Sequence, residues 1–372
     1  MPLLAVAREL KLAHPEITII AVTDKGGRFT MLLRNSTSID HVYEISAGKF
    51  RRHHDETIMQ RLLDARTNLL NIRDFFKFLY GTIESCWLMV RVRPWLMFSK
   101  GGYVVVPVGL AAALWRTPII THDSDTLPGL SNIILARWAQ LHTTGMPKKY
   151  YDYPADATKF VGIPIASNYK RVDTDTKRQA RKLLKLPANA TIVLVTGGSQ
   201  GSRRLNKSII ASAANLLVKH QNLYIIHQVG AGNTADYRNF NHPRLQIHEF
   251  ISGMHDYSAA ADIVITQASA TTIVELGVQQ KAVISLPSPH LAGGHQLKNA
   301  RFLQEANAAI VIKPASEAAM AKELVRALDE LILDSHKRRQ LSLRLHSSIK
   351  QDAAKELAAI IYSSARNENK EE

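Results

Sequence analysis

Short runs of β-branched and aliphatic residues alternate with longer stretches of helical periodicity along nearly the whole chain. The runs at 17–22, 95–98, 118–121, 191–196, 224–228, 245–248, 263–266 and 282–286 predict strands, and most of the sequence between them predicts helices. That alternation implies parallel sheets covered by helices. Near residues 163–186, Ile163-Pro164 gives way to a polar, strongly basic stretch before the next strand opens a new unit. Two doubly wound α/β halves, 1–165 and 166–350, are expected to face each other across a cleft, with ligands at the carboxyl ends of the strands. Residues 351–372 supply a C-terminal helix and polar tail. The first half starts with a helix, Pro2 in its first turn and Leu3, Leu4, Val6, Ala7 and Leu10 in an apolar stripe. The strand and glycine loop that usually open such a domain are therefore expected to be missing.

With 46% hydrophobic and 21% charged residues, the 372-residue chain can build two ordinary cores. Its single cysteine, Cys86, excludes an internal disulfide framework and a cysteine-based zinc site, and suits a reducing cytoplasm. The amino terminus lacks the basic start and apolar run of a secretion signal. The longest nearly apolar stretch, 103–115, is too short to span a bilayer and contains Pro107 and Gly109. A formal net charge of +15 favours an anionic membrane surface or phosphate-bearing substrates. Nucleic acid is disfavoured, because no zinc-finger spacing or aromatic RNA-binding motif accompanies the charge.

Four segments of the second half carry chemistry. Val195-Thr196-Gly197-Gly198-Ser199-Gln200-Gly201-Ser202 runs an apolar strand into a glycine turn and a helix start. Glycines let the backbone approach a ligand, and a helix start offers free N–H groups, so a phosphate would be stabilised there with Ser199 as an added donor. A plain structural turn is the alternative, and no Gly-Lys-Ser/Thr makes it a Walker loop. In Thr266-Gln267-Ala268-Ser269-Ala270-Thr271-Thr272-Ile273-Val274-Glu275 a strand again meets small residues and a helix. A diphosphate could approach Ala270–Thr272, and Glu275 could accept hydrogen bonds from ribose hydroxyls. Alternatively, Thr271 or Thr272 caps the helix and Glu275 answers its dipole. Phe250-Ile251-Ser252-Gly253-Met254 could meet a base edge through its backbone, with Ile251 as an apolar wall. The proline-rich loop 287–294 leads to His295 and Gln296, which could meet sugar hydroxyls. His290 and His295 have no carboxylate or cysteine nearby, so no metal is expected. In the first half, Ser99-Lys100-Gly101-Gly102-Tyr103 and Thr121-His122-Asp123-Ser124-Asp125 follow strands. His122 is either a core histidine held by Asp123 or a catalytic one.

The ordered set Gly-Gly-Ser-Gln-Gly with Leu-Asn, Glu-Phe-Ile before Met, Ala-Thr-Thr-Ile-x-Glu-Leu and Gln-x-x-Asn-Ala resembles the MurG family of peptidoglycan N-acetylglucosaminyltransferases. Lys-Gly-Gly-Tyr-Val and Pro-Gly-Leu-Ser-Asn at 128–132 extend the resemblance over about residues 2–300. It implies a GT-B fold of two Rossmann-like domains, with no cofactor. It implies inverting transfer of N-acetylglucosamine from UDP-N-acetylglucosamine to undecaprenyl-pyrophosphoryl-N-acetylmuramyl-pentapeptide, lipid I to lipid II, at the cytoplasmic face of the membrane. A transferase acting on another glycolipid, or a homologue that binds nucleotide or membrane without catalysis, would share these motifs. By the resemblance, Ser199 meets a phosphate and the Ile251 backbone meets uracil. Ala270, Thr271 and Thr272, with Ile273 and Val274, line the diphosphate, Glu275 holds the ribose and Gln296 reads the donor sugar. Asp125 stands where the family usually has an asparagine touching that sugar, while Ala166 and Gln267 replace arginines. The family's histidine-bearing first loop, a candidate source of the general base, is absent, and a start downstream of the true one is the expected cause.

The stretch 57–80 carries Ile58, Leu62, Ala65, Leu69, Ile72, Phe76 and Leu79 at near-heptad spacing, read as its core face. Leu63, Leu70, Phe75 and Phe78, interleaved with Arg66, Arg73 and Lys77, could instead settle on an anionic leaflet. The run Lys49-Phe50-Arg51-Arg52-His53-His54 is either a solvated basic loop or a partner for the lipid pyrophosphate.

Overall fold

The computed structural model describes residues 2–27, 29–49, 64–238, 240–289 and 294–368. In chain order the elements are α1 (Pro2–Ala13), β1 (Ile20–Asp24), α2 (Thr30–Arg34), β2 (His41–Ile45), α3 (Ala65–Val92), β3 (Met97–Ser99), α4 (Val105–Leu114), β4 (Ile119–Asp123), α5 (Leu130–Leu135), β5 (Ala139–Thr144) and β6 (Thr158–Phe160). There follow α6 (Thr174–Leu183), β7 (Thr191–Thr196), α7 (Arg203–Lys219), β8 (Leu223–Gln228), β9 (Leu245–His248), α8 (Met254–Ala260), β10 (Ile263–Thr266) and α9 (Ala270–Val278). Last come β11 (Ala282–Ser285), α10 (His295–Glu305), β12 (Ile310–Val311), α11 (Glu317–Leu333), α12 (Ser335–Ser348) and α13 (Ala353–Glu368). The chain divides into two compact units, 1–166 with 352–372, and 167–351. Among the described residues, no helix is long and apolar enough to cross a membrane.

The second unit holds a six-stranded parallel sheet in the order β12-β11-β10-β7-β8-β9. Its central strands, β7 and β10, are buried along almost their whole length, which is why they read as unbroken aliphatic runs. Helices α7 and α11 lay Leu205, Ile209, Leu216, Leu324, Leu328 and Leu331 over one face. Ser202, Ser316 and Asp334 cap α7, α11 and α12 through their side chains.

In the first unit, β3-β4-β5-β6 form one parallel sheet and β1-β2 a second. The two share their cover: Ile17 and Ile19 pack with Leu96 and Phe98 beneath α1 and α13, and Val22 and Ile45 pack with Met97 and Met89 on the other side. The chain returns at its end, and α13 lies on α1 with Leu357 in the core and Tyr362 stacked on His14 at 3.4 Å.

Strand β1 begins later than the expected 17–22, because Asp40 accepts the Ile19 N–H at 2.6 Å and Ile17 bonds back to His14. Strands β2, β5 and β6 lack a continuous aliphatic run, and β12 carries one over only two residues. In β5, the buried His142, Thr143 and Thr144 are satisfied by hydrogen bonds, so polar residues occupy a core strand.

Helix α3 corrects the expectation most. Its Leu69, Ile72, Phe76 and Leu79 are not a core face, standing 69%, 56%, 64% and 43% exposed. Asp74, Gly81, Ser85, Leu88 and Met89 face inward instead. At Gly81 a Cβ would lie 1.7 Å from the Ser46 carbonyl oxygen, so backbone packs on backbone and only a small face fits. Residues 57–63, including Ile58, Leu62 and Leu63, and residues 50–54 of the basic run lie outside the described residues.

Candidate functional site

The carboxyl ends of the second sheet end level with one another. Ser285 pairs with Thr266, Thr266 with Thr196, Thr196 with Gln228, and Gln228 with His248. The loops that leave this row carry the predicted segments. Strand β7, which comes first in the chain, has later strands on both sides, so the crossovers diverge around it.

After β7, Gly198 and Gly201 take left-handed φ values of 81° and 72°. A Cβ at Gly201 would sit 1.9 Å from the Val229 carbonyl oxygen, so that position admits only glycine. Ser199 is exposed at the turn. After β10, Ser269 takes the N-cap position of α9, yet its side chain caps no amide, nor does Thr271 or Thr272 take the cap position. The first amides of α9, at Ala270, Thr271 and Thr272, thus have no helical acceptors. Ile273 and Val274 turn into the core, and the Ile273 N–H is already bonded to the Ser269 carbonyl at 2.9 Å. Neither brings a side chain to the helix end.

Gln228, which the motifs did not single out, and three side chains from the motifs themselves join these loops. Gln228 donates to the Gly198 carbonyl at 2.7 Å and accepts the Ile251 N–H at 2.9 Å. It clamps the glycine turn to the segment after β9. Gln267 donates to Ser202 at 2.9 Å, joining the turn to the β10 loop. Buried Asn299 donates to the Ala268 carbonyl at 2.9 Å. Gln296 is itself buried and accepts the Ser288 N–H at 2.8 Å, holding the loop before α10. His290 lies outside the described residues.

Glu275 lies one turn into α9. Burial pushes its carboxyl up to about 7, and the Tyr169 hydroxyl donates to it. Tyr169 comes from the boundary stretch near residues 163–186. No local pattern identifies it.

The rim of the first unit is a closed hydrogen-bond network. Asp123 accepts Gly129 N–H at 2.8 Å, Asn132 at 2.9 Å and the Tyr153 hydroxyl at 2.8 Å. Asn132 also accepts Ser99, and Ser131 accepts the Gly102 N–H at 2.9 Å, so the 128–132 segment buttresses the Gly101-Gly102 turn. His122 is fully buried and held by Thr143 and Ser124 rather than by Asp123. Thr143 already donates to the Thr121 carbonyl, so it accepts from His122 Nδ1. That leaves Nε2 as the acceptor of the Ser124 hydroxyl, which in turn accepts Lys100 Nζ at 2.8 Å. Burial, with Lys100 beside it, holds the imidazole well below its usual range, so it stays neutral. The core reading of His122 is the one the geometry supports. Burial lowers Lys100 as well, opposed by the carboxylates of Asp125 and Asp123.

The family models for the N-terminal and C-terminal domains of glycosyltransferase family 28 match residues 1–142 and 192–357. The chain is 32% identical over 273 residues to a Clostridium perfringens protein, covering 73% of this chain and 71% of that one. That relative is named UDP-N-acetylglucosamine–N-acetylmuramyl-(pentapeptide) pyrophosphoryl-undecaprenol N-acetylglucosamine transferase. A Bacillus licheniformis protein of the same name is 28% identical over 364 residues, 97% of this chain and 94% of that one. Among solved structures, Acinetobacter baumannii MurG matches with a TM-score of 0.71 at 22% identity, over 97% of this chain and 95% of that one. A calicheamicin glycosyltransferase matches at 0.66 and 14%, over 98% and 94%. These structures speak for the fold, two parallel-sheet α/β domains of the GT-B kind. Both domain models fall in order along the sequence, and this chain belongs to glycosyltransferase family 28.

Proposed function

We propose that the protein transfers N-acetylglucosamine, with inversion, from UDP-N-acetylglucosamine to undecaprenyl-pyrophosphoryl-N-acetylmuramyl-pentapeptide, converting lipid I to lipid II. The observation that carries this reading is the uncapped start of α9 beside the glycine turn of β7, with Glu275 one turn along. Bare amides and a positive helix end suit a diphosphate, and a carboxylate at that distance suits ribose hydroxyls. Ser199 would add a donor to a phosphate. Ile251, with its N–H held by Gln228, would offer its carbonyl to the uracil edge. Gln296 would keep the loop over the donor sugar in place. As the acceptor's 4-hydroxyl attacks the anomeric carbon, the α9 amides would stabilise charge gathering on the departing UDP.

The acceptor's lipid requires a membrane, and α3 supplies a surface for one. Leu69, Ile72, Phe76, Ile83 and Trp87 stand exposed along it, with Arg66, Arg73 and Lys77 on the same helix. An apolar stripe flanked by cations suits an anionic leaflet at the cytoplasmic face. The whole reading is tested by titrating UDP calorimetrically and by following radiolabelled sugar from UDP-N-acetylglucosamine onto a lipid I analogue. UDP binding with labelled product supports it. A folded protein that binds no UDP would end it.

A further inference from the structure

We infer that Tyr169 is a positioning residue for the nucleoside end of the site, orienting Glu275 so that its carboxylate meets the ribose hydroxyls. The inference rests on the transfer reading above and deepens its account of the nucleotide. Every group it uses belongs to the second unit, 167–351. A glutamate side chain is long and free to turn, so fixing it for a ligand costs entropy. A partner already in place moves that cost from binding to folding. Tyr169 is such a partner. Its hydroxyl donates to Glu275, one turn into α9. A carboxylate has two oxygens with several lone pairs, so a single donor holds it and leaves capacity for ribose. The same bond favours the ionised carboxyl that ribose needs, against the burial that pushes it up.

Tyr169 is itself held in place. Half-buried, it meets His255 in the first turn of α8 edge-on, with ring centroids 6.1 Å apart and planes at 69°. Its neighbour Asn168 donates its side-chain amide to His255 Nδ1 at 3.0 Å. Gln279, at the far end of α9, donates to the His255 carbonyl at 2.8 Å and ties α9 to α8. Residues 168 and 169 therefore rest on two helices that are joined to each other. One follows the Ile251 segment, and the other carries Glu275. Tyr169 thus links the two parts of the site assigned to the nucleoside, the base-side segment and the ribose-side carboxylate.

Tyr169→Phe removes the donor and keeps the ring beside His255. Calorimetric titration with UDP and with 2′,3′-dideoxy-UDP, which has no ribose hydroxyls, separates orientation from packing. The variant should bind UDP about tenfold more weakly and 2′,3′-dideoxy-UDP within about twofold of the parent. A residue that only packs would lower both affinities alike or neither, and either result overturns the assignment. In a Glu275→Ala background the same substitution should weaken UDP binding by less than about twofold more, because Tyr169 acts through that carboxylate. A further loss of about tenfold there overturns it too. Should Tyr169→Phe fail to fold, Tyr169→His carries the same pair of titrations, with UDP again weakened and the dideoxy nucleotide spared. The parent separates the two levels. A folded parent that binds no UDP takes down the transfer reading and this one together, while a parent that binds UDP, with no loss in Tyr169→Phe, removes this one alone.

Discussion

Glu275 costs the free protein stability at the pH where it would be useful. Its carboxyl is raised from 4.5 to about 7 by burial, so between those values the folded chain holds a proton that the unfolded chain has released. Stability therefore falls as pH rises through that window, by up to roughly 3 kcal/mol above it. Glu275→Gln keeps an acceptor for Tyr169 and removes the buried charge. It is expected to raise the melting temperature of the ligand-free protein at pH 8 and to leave it unchanged near pH 4. UDP binding should respond with the opposite sign, because ribose hydroxyls need the ionised acceptor. The parent should bind UDP more weakly as pH falls from 8 to 6, while Glu275→Gln binds weakly, by about tenfold or more, and without that slope. Calorimetric titration at three pH values measures both. The motif placed Glu275 at the helix, but nothing in it announces Tyr169, whose hydroxyl arrives from a hundred residues earlier in the chain.

At the level of elements, loops are tied by side chains that the sequence does not mark. Gln228 ends β8 as the polar residue of a strand, yet it holds Gly198 and Ile251 at once. Gln228→Ala strips both backbone groups of that partner, and UDP affinity should drop by roughly 1–3 kcal/mol, read by the same titration. Helix α3 carries the opposite lesson. Its heptad stripe reads as a core face on periodicity alone, and it is turned outward because Gly81 lets the other side approach the Ser46 backbone. Periodicity finds a stripe but not the side that carries it. Replacing Phe76 and Ile83 by Ser should abolish retention on anionic phosphatidylglycerol vesicles at low salt and leave the melting temperature where it was. A large loss of stability would show the stripe to be packing after all.

The whole molecule joins its first unit from both ends of the chain. Leu357 of α13 is completely buried among Val6, Leu10, Ile120 and Val161. Leu357→Ala should therefore cost the first unit about 2–5 kcal/mol, as a separate early transition in differential scanning calorimetry. UDP binding belongs, in the proposed function, to residues 167–351, and it should survive that early transition. A single shifted transition with UDP binding lost would contradict this division.

Local order in the chain determined a good deal. The runs at β7, β9 and β10 match their strands residue for residue; in β7 and β10 that is because a strand buried on both faces tolerates only aliphatic residues. The glycine turn and the small-residue helix start were legible for the same kind of reason: backbone conformation and close approach restrict residue type at single positions. The polar strand β5, the outward stripe of α3, the neutral burial of His122 and the Tyr169–Glu275 pair were decided only by the tertiary structure. Each depends on which distant group satisfies a polar atom or covers an apolar face, and no local pattern records that partner.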